Sequence, residues 1–350
     1  MKIINICANY GGSKDGIGDY SKKIINKMLE QNKDVKIKNF SSNIEDFSKL
    51  KRVFSLKMSS NIKKVYKLLA KEKYDLVNIE YPFTEWNPLI LYFYNKLVKT
   101  CKKNDVKLCI SLHEYDRVNF LRKLVIRTLI KKADFVLVTS EETKKNIEKY
   151  NINSYIRDIP SNIYRTRNVE LDKKVSTIYV FFGLINSSKA FDQMINGWKN
   201  NHHEMLNSKL IIITSSNIEL EESFGIEIKR NLSDMQIEDI MQKATYTILP
   251  IKPMINMNNA TLKTATLFGT IPIGIFSNSI KENNKKFYIE MSNYEDAEFN
   301  KVFKYIKEME KEELNELQSN SICFGNKYGI NNIANAILSI YAKEIKGDRT

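Results

Sequence analysis

The chain contains few of the residues that build disulfide frameworks or metal sites. Its 350 residues include three histidines and four cysteines, and no C-x-x-C spacing occurs among Cys7, Cys101, Cys109 and Cys323. Scattered cysteines predict free structural thiols in a reducing compartment and argue against a disulfide framework or a zinc finger. A D-x-D motif and clusters of His, Asp or Glu with metal-ligand spacing are also missing from the sequence. We therefore expect no metal cofactor.

Long apolar runs are missing as well. Nowhere do about 18 consecutive apolar residues occur, which argues against a membrane-spanning helix. The first residues, MKIINICANYGG, predict a strand followed by a glycine turn and do not resemble a signal peptide. We expect a cytoplasmic protein that can bind peripherally at the inner membrane face.

Arginine is scarce although the chain is basic. The formal net charge is +14, but only nine of the 55 basic residues are Arg. Because Arg is better suited than Lys to bidentate phosphate recognition, its scarcity weakens the case for specific nucleic-acid readout. The basic runs are densest in the N-terminal half, for example at Arg122–Lys123 and Lys131–Lys132. We interpret most of this charge as solvated surface, with contact to anionic lipid headgroups as its leading functional use.

What the sequence does contain is a repeated alternation of short apolar segments with amphipathic ones. Such alternation predicts parallel sheets covered by helices, which is the α/β class. The length suggests about two domains, and a polar stretch without periodicity separates two runs of alternation. We predict an N-terminal domain over residues 1–160, a linker over 161–174, a C-terminal domain over 175–329, and a last helix over 330–346 that packs back on the first domain.

Two glycine turns connect a predicted strand to a predicted helix. The first, GGSKDGIG at residues 11–18, contains Gly12, Gly16 and Gly18, and glycines this dense favour a close approach of the backbone to a ligand. In the second, Gly183 ends a strand and Lys189 opens a helix. A lysine beside helix N–H groups can bind a phosphate. The plain alternatives are a flexible turn and an ordinary surface lysine.

Polar residues follow the apolar strand VKLCISL. His113 comes first, and Glu114, Tyr115 and Arg117 come next. Ligands of open α/β sheets bind at the carboxyl ends of the strands, so we predict that His113 acts on a ligand there; a structural histidine is the alternative. Asp19, near the start of the first helix, contacts the ligand or is a favourable first-turn carboxylate.

The order of these segments resembles GT-B glycosyltransferases, and among them the large retaining, family-4-like group of polysaccharide-assembly enzymes. The resemblance covers residue 3 to about 340 and rests on six segments: GGSKDGIGDYSKKI, SLHEYDR, ADFVLVTSEETKKNI, FFGLINSSKAFDQMING, NLSDMQIEDIMQKATYTILPI and TLKTATLFGTIPIG. The chain departs from the group's acidic pair, E-x7-E, because Asn256 and Thr264 occupy its two positions. The resemblance implies two Rossmann-like, doubly wound domains that face a cleft.

The resemblance also implies roles for residues. The N-terminal domain would hold the acceptor and the C-terminal domain a UDP- or GDP-linked sugar, with His113, Lys189 and Asp19 as catalytic residues. Glu114, Tyr115 and Arg117 would contact the acceptor or the sugar. The donor site would consist of Gly12, Gly16, Gly18, Gly183, Leu232, Asn258, Asn259, Thr261 and Thr264.

We therefore expect transfer of a sugar from a nucleoside diphosphate sugar to a hydroxyl, with no cofactor beyond the substrate and no metal. The expected acceptor is a lipid-linked or polysaccharide intermediate, met by the basic N-terminal domain at a membrane surface. One alternative is a DNA-base-modifying glycosyltransferase of the kind found in phages, which the positive charge suits. Another is a non-catalytic protein that binds sugar nucleotides or a partner.

Overall fold

The chain forms two compact units. The structure is a computed structural model that describes residues 1–8, 16–41, 58–82, 90–115, 118–150, 152–161, 163–205, 207–283 and 285–347. Unit 1 comprises residues 1–158 and 330–350, and unit 2 comprises residues 159–329. The chain thus leaves unit 1 once and returns to it for its last helix.

Unit 1 is built on a six-stranded parallel sheet with strand order β2-β1-β3-β4-β5-β6. Its strands are β1 (Lys2–Cys7), β2 (Lys36–Ser41), β3 (Leu76–Tyr81), β4 (Lys107–Leu112), β5 (Phe135–Val138) and β6 (Asn153–Ile156). The helices of the described part are α1 (Gly16–Gln31), α2 (Met58–Lys71), α3 (Ile90–Lys103), α4 (Phe120–Ile130), α5 (Glu141–Glu148) and the C-terminal α12 (Ile330–Lys346). The strand order changes direction between β1 and β3, and such a switch point is where open sheets bind ligands.

The two faces of this sheet differ in polarity. One face carries the apolar alternation of each strand, for example Ile110 and Leu112 of β4, which pack with buried residues of α3 and α4. The other face is covered by α1 and by α12, which contact each other. Phe135 of β5 lies against Tyr341 of α12, with ring centroids 6.1 Å apart. The last helix therefore completes unit 1.

Unit 2 has the same architecture. Its parallel sheet has the order β12-β11-β10-β7-β8-β9, with β7 (Val175–Phe182), β8 (Lys209–Thr214), β9 (Ile226–Arg230), β10 (Ala244–Ile248), β11 (Ile271–Gly274) and β12 (Ile289–Glu290). The described helices are α6 (Phe191–Asn200), α7 (Asp234–Lys243), α8 (Ala260–Leu267), α9 (Asn278–Lys281), α10 (Asp296–Glu308) and α11 (Lys311–Lys327). Two short 3-10 helices lie at Leu171–Lys173 and His202–Met205. Here the switch point lies between β7 and β10.

Aromatic side chains fill the core of unit 2. Tyr179 stacks on Tyr246 at 4.8 Å and contacts Trp198, whose indole N–H donates to Phe224 O at 2.9 Å. Gly197 lets α6 approach the Phe299 ring of α10, because a Cβ at this position would lie 2.2 Å from that ring. The glycine is therefore required by packing.

The residues expected to form a linker belong to unit 2. Thr166 and Arg167 donate their backbone N–H groups to the buried carboxylate of Glu238 at 2.9 and 3.0 Å, and the Thr166 hydroxyl donates to it at 2.6 Å. A carboxylate that accepts several N–H bonds holds a loop in place. Thr166 and Arg167 are thus held against Glu238 of α7.

The prediction of two Rossmann-like, doubly wound domains is confirmed by these two sheets. None of the helices in the described residues is long and apolar enough to cross a membrane.

Candidate functional site

The switch point of unit 2 brings together residues that follow β7 and β10. After β7 the chain turns at Gly183 with φ +129°, a conformation that side-chain-bearing residues rarely adopt. Lys189 and Ile251, from the loops after β7 and β10, form an isolated antiparallel bridge. Ala190 N also donates to Pro250 O at 2.7 Å. These bonds fix Lys189 at the carboxyl edge of the sheet.

Lys189 points its amine toward Gly183. A Cβ on Gly183 would lie 2.9 Å from Lys189 Nζ and 3.7 Å from Thr261 Oγ1. The amine lies 4.8 Å from the centroid of the Phe181 ring. Burial lowers the pKa of Lys189 to about 8, and no carboxylate in the described residues opposes this shift. A half-buried cation that lacks a counter-charge favours binding of an anion.

Helix α8 directs its N-terminus at the same place. Asn259 caps the helix, since its side-chain oxygen accepts the N–H of Leu262 at 2.8 Å. The first N–H groups of a helix have no partner within the helix, and together with the helix dipole they attract an anion. Asn258 Oδ1 is buried and has no hydrogen-bond partner among the described residues. Gly183, Lys189 and Thr261 thus lie close together, and Asn258 and Asn259 precede Thr261 at the N-terminus of α8.

Two other residues of the predicted donor site lie elsewhere in unit 2. Thr264 is fully buried in α8; its hydroxyl donates to Ala260 O at 2.9 Å and lies 3.0 Å from Ser161 Oγ. Leu232 is half-buried between β9 and α7 and packs against a cluster that includes Val180. Thr264 therefore makes its contacts within the core, because its position on α8 faces the protein interior.

In unit 1, His113 lies at the end of β4 in a cluster of buried charges. Its Nε2 is 2.7 Å from Glu80 Oε2, and Glu80 follows Asn78 on the same face of β3. Arg157, just after β6, donates from both terminal nitrogens to the two oxygens of Glu80 at 3.1 and 3.0 Å. The Tyr20 ring of α1 lies 4.9 Å from the guanidinium and meets His113 edge-on at 5.5 Å. Four elements therefore position one imidazole.

The charges in this cluster determine the state of His113. Burial would raise the pKa of Glu80, but Arg157 and His113 outweigh it and lower that pKa to about 2. Burial, and then Arg157, lower the pKa of His113 despite the opposing effect of Glu80. At neutral pH the imidazole is neutral and Glu80 is ionised. Nε2 lies 2.7 Å from Glu80 Oε2, which only accepts hydrogen bonds, and also 2.7 Å from Arg157 Nη2, which only donates them, so each neutral tautomer satisfies one of these two contacts.

The polar contacts continue from this cluster along the neighbouring strands β1, β3 and β4. Asn78 Nδ2 donates to Glu80 Oε1 at 3.0 Å and to Asn5 Oδ1 at 2.8 Å, and Ser111 Oγ donates to Asn78 Oδ1 at 2.8 Å. A cavity of about 10 Å³ lies beside Asn5 and Glu80, which is about the space that one water molecule requires. The cavity cannot hold a sugar, so the network supports His113 and does not itself form a ligand pocket.

The other predicted residues of unit 1 are dispersed. Glu114 is exposed and pairs with Arg122 at 3.1 Å, whereas Tyr115 is buried in the apolar core beside Ile110 and Leu112. The predicted grouping of Glu114 and Tyr115 with His113 is therefore not seen, since the chain turns away after β4. Asp19 is exposed and pairs with Lys23 one helical turn later, at 3.2 Å.

The predicted glycines of the first turn are described only in part. Gly16 and Gly18 lie in the first turn of α1, and Gly18 is buried. Gly12 and Arg117 lie outside the described residues.

Sequence reasoning missed Glu80, Arg157 and Tyr20. A signal for Glu80 was present, because Asn78 and Glu80 alternate with Val77 and Ile79 in a strand that is otherwise apolar. Polar residues on one face of a buried strand need partners. No comparable signal marks Arg157, which lies 77 residues from Glu80 along the chain. In the described residues, no group of three or more His, Cys, Asp or Glu side chains could hold a metal.

Comparison with known proteins supports the same fold. The model of Glycosyltransferase Family 4 matches residues 43–163. No curated protein sequence matches the chain.

Solved structures of low sequence identity match over nearly the whole chain. Sucrose-phosphate synthase from Thermosynechococcus elongatus has a TM-score of 0.70 at 10% identity, with 99% of this chain and 100% of that one covered. HepE from Anabaena, in complex with UDP and glucose, has a TM-score of 0.64 at 12% identity, with 98% and 100% covered. An alpha-glucosyltransferase in complex with UDP and a 13-mer DNA has a TM-score of 0.64 at 13% identity, with 98% and 99% covered. The chain therefore has the fold of GT-B glycosyltransferases, and its residues 43–163 match Glycosyltransferase Family 4.

Proposed function

We propose that this protein is a glycosyltransferase that moves a sugar from a nucleoside diphosphate sugar to a hydroxyl acceptor. The observation that carries the proposal is Lys189, a half-buried cation at the switch point of unit 2 that has no counter-charge among the residues the structure describes and lies close to Gly183 and to the N-terminus of α8. A departing diphosphate needs positive charge at its position, and fixed donors supply it without reorganisation. UDP is the first donor nucleotide to test, because it is bound in the HepE and alpha-glucosyltransferase structures.

The proposal includes a role for His113 in the transfer step. Glu80 and Arg157 hold its neutral ring through Nε2, so Nδ1 can form a hydrogen bond with a sugar or acceptor hydroxyl. Lys189 and the helix N-terminus would take the place that a metal has in other transferases, so the proposed reaction needs no metal cofactor. We propose a retaining outcome from the family resemblance alone.

The acceptor we propose is a lipid-linked or polysaccharide intermediate at the cytoplasmic face of a membrane. A second candidate is transfer to DNA, which is favoured by the net charge of +14 and by the match to an alpha-glucosyltransferase whose structure contains DNA. Salt-sensitive binding of duplex DNA, together with glucosylation of it, would favour this second candidate. The scarcity of arginine favours the first.

Calorimetric titration of UDP into Lys189→Ala tests the donor site. We expect affinity to fall by about 1.5–3 kcal/mol, the range for a charge-assisted contact. Lys199→Ala is the matched control, because Lys199 is also half-buried and lies over a phenylalanine ring, that of Phe224 at 5.9 Å. Equal UDP affinity in both variants and the wild type would remove Lys189 from the site.

Kinetics of His113→Asn then separate transfer from nucleotide binding. Turnover with the nucleotide sugar should fall by about a hundredfold or more, the scale for a lost positioned group. UDP affinity should change little, because Lys189 and α8 belong to unit 2. If His113→Asn turns over as fast as the wild type, His113 has a structural role. If the wild type binds UDP but shows no turnover, the result favours a non-catalytic binding protein.

A further inference from the structure

One apolar side of helix α4 has no covering element among the described residues. Phe120, Leu121 and Leu124 are 67%, 66% and 42% exposed. They lie on one side of the helix, because positions four apart face the same way. The opposite side, with Ile126, Leu129 and Ile130, is buried in the core of unit 1. Large apolar side chains that cluster on one turn mark an interaction surface more often than single exposed residues do.

The chemistry of this segment is complementary to an anionic surface. Residues 118–132, VNFLRKLVIRTLIKK, contain five basic residues and no acidic one. Lys131 and Lys132 follow the helix at its C-terminal end and are exposed. Apolar side chains beside lysines on one helix are typical of helices that lie in the plane of a membrane interface. DNA phosphates would also attract the basic residues, but they offer no apolar surface on which the exposed leucines could be buried.

The position of α4 links it to the site. The helix begins seven residues after His113, which directly follows β4. Its apolar first turn therefore starts from the edge of the sheet where the carboxyl ends of the strands lie. A lipid-linked acceptor would meet His113 at that edge.

We infer that the exposed side of α4, formed by Phe120, Leu121 and Leu124 with Lys131 and Lys132, docks the protein on an anionic lipid bilayer. The inference deepens the proposed function and rests on it, because docking on a bilayer would serve to reach a lipid-linked acceptor. The binding itself needs neither donor nor acceptor. Insertion of the apolar side chains anchors the helix, and the lysines hold it at the headgroups.

Vesicle flotation tests the docking surface with the full chain. The wild type should float with vesicles of equal parts phosphatidylcholine and phosphatidylglycerol but not with phosphatidylcholine alone. Binding should weaken when salt rises from about 0.1 M to 1 M, because the Debye length falls from about 10 to 3 Å. F120S/L121S should lower the bound fraction by about tenfold or more, since burial of each side chain is favourable. K131Q/K132Q should lower it by a similar factor.

Matched controls come from unit 2. Met235→Ser removes a side chain that is 70% exposed in the first turn of α7, and K301Q/K304Q removes two exposed lysines of α10. Both should leave flotation unchanged, and all variants should bind UDP like the wild type. That UDP titration separates loss of docking from failure of the donor site, and amide hydrogen exchange of peptides from β4 separates it from unfolding of unit 1.

Three results would overturn the inference. The first is the absence of wild-type flotation with the anionic vesicles. The second is a loss of flotation in the control variants that is as large as the loss in the α4 variants. The third is a surface that serves another partner: duplex DNA binding, or self-association in sedimentation, that F120S/L121S abolishes while vesicle binding is absent.

Discussion

Replacement of Glu80 by glutamine should destabilise unit 1 and disturb His113. Glutamine keeps the size of Glu80 but removes the charge that faces Arg157, whose side chain is 3% exposed. Removal of one partner from a buried ion pair costs about 3–5 kcal/mol, because the remaining charge is left buried without compensation. The exposed pair of Lys27 and Glu30, with a separation of 2.8 Å, is the control. Lys27→Gln should change stability by less than about 1 kcal/mol.

The pH dependence has a definite sign. The pKa of Glu80 is lowered from 4.5 to about 2 in the folded protein. The unfolded chain therefore binds the proton more readily, and the stabilisation by Glu80 is present above pH 4.5 and is lost as the pH falls toward 2. In Glu80→Gln this part of the acid sensitivity of unit 1 should disappear.

Amide hydrogen exchange is the appropriate assay, because one denaturation curve for two units does not report on unit 1 alone. Peptides from β3 and β4 should lose protection by more than about a hundredfold in Glu80→Gln, the equivalent of about 3 kcal/mol. Arg157→Met should have a comparable effect, and the double variant should be less destabilised than the sum of the two. Protection within about threefold of wild type, or strict additivity, would refute the buried pair as the support of His113.

Two further predictions concern unit 2. Gly183→Ala should weaken UDP binding and destabilise the turn by about 1–3 kcal/mol, since alanine is strained at φ +129° and its Cβ would meet Lys189 Nζ. Gly329→Ala, with no positive φ and no contact under 3.4 Å, is the control, and equal effects on UDP titration would contradict the prediction. Burial lowers the pKa of Lys174 from 10.5 to about 7, so the unfolded state binds more protons and stability should rise from pH 7 toward pH 10. In Lys174→Met the hydrogen-exchange protection of β7 and β10, corrected for intrinsic exchange, should rise less with pH than in the wild type, and parallel pH profiles would contradict this.

The sequence by itself determined the fold class. Apolar strands such as FVLV of β5 alternate with amphipathic helices, and this periodicity permits little besides parallel sheets covered by helices. It also led to Gly183 and Lys189 as candidate site residues, because both lie in one short segment whose turn and helix start are local features. The short edge strands β9 and β12 were missed. The first, IEIKR, carries charges that an edge strand can expose and so lacks an apolar pattern.

Only the tertiary structure decided which side chains meet at His113. Glu80 lies 33 residues before it and Arg157 lies 44 residues after it, and parallel pairing brings the ends of β3, β4 and β6 to one edge. Tyr115 is two residues from His113 yet belongs to the core, whereas Tyr20, from another element, contacts its ring. Local pattern determines which segments form strands and helices. Sheet register and the direction of each side chain determine the chemistry at their ends.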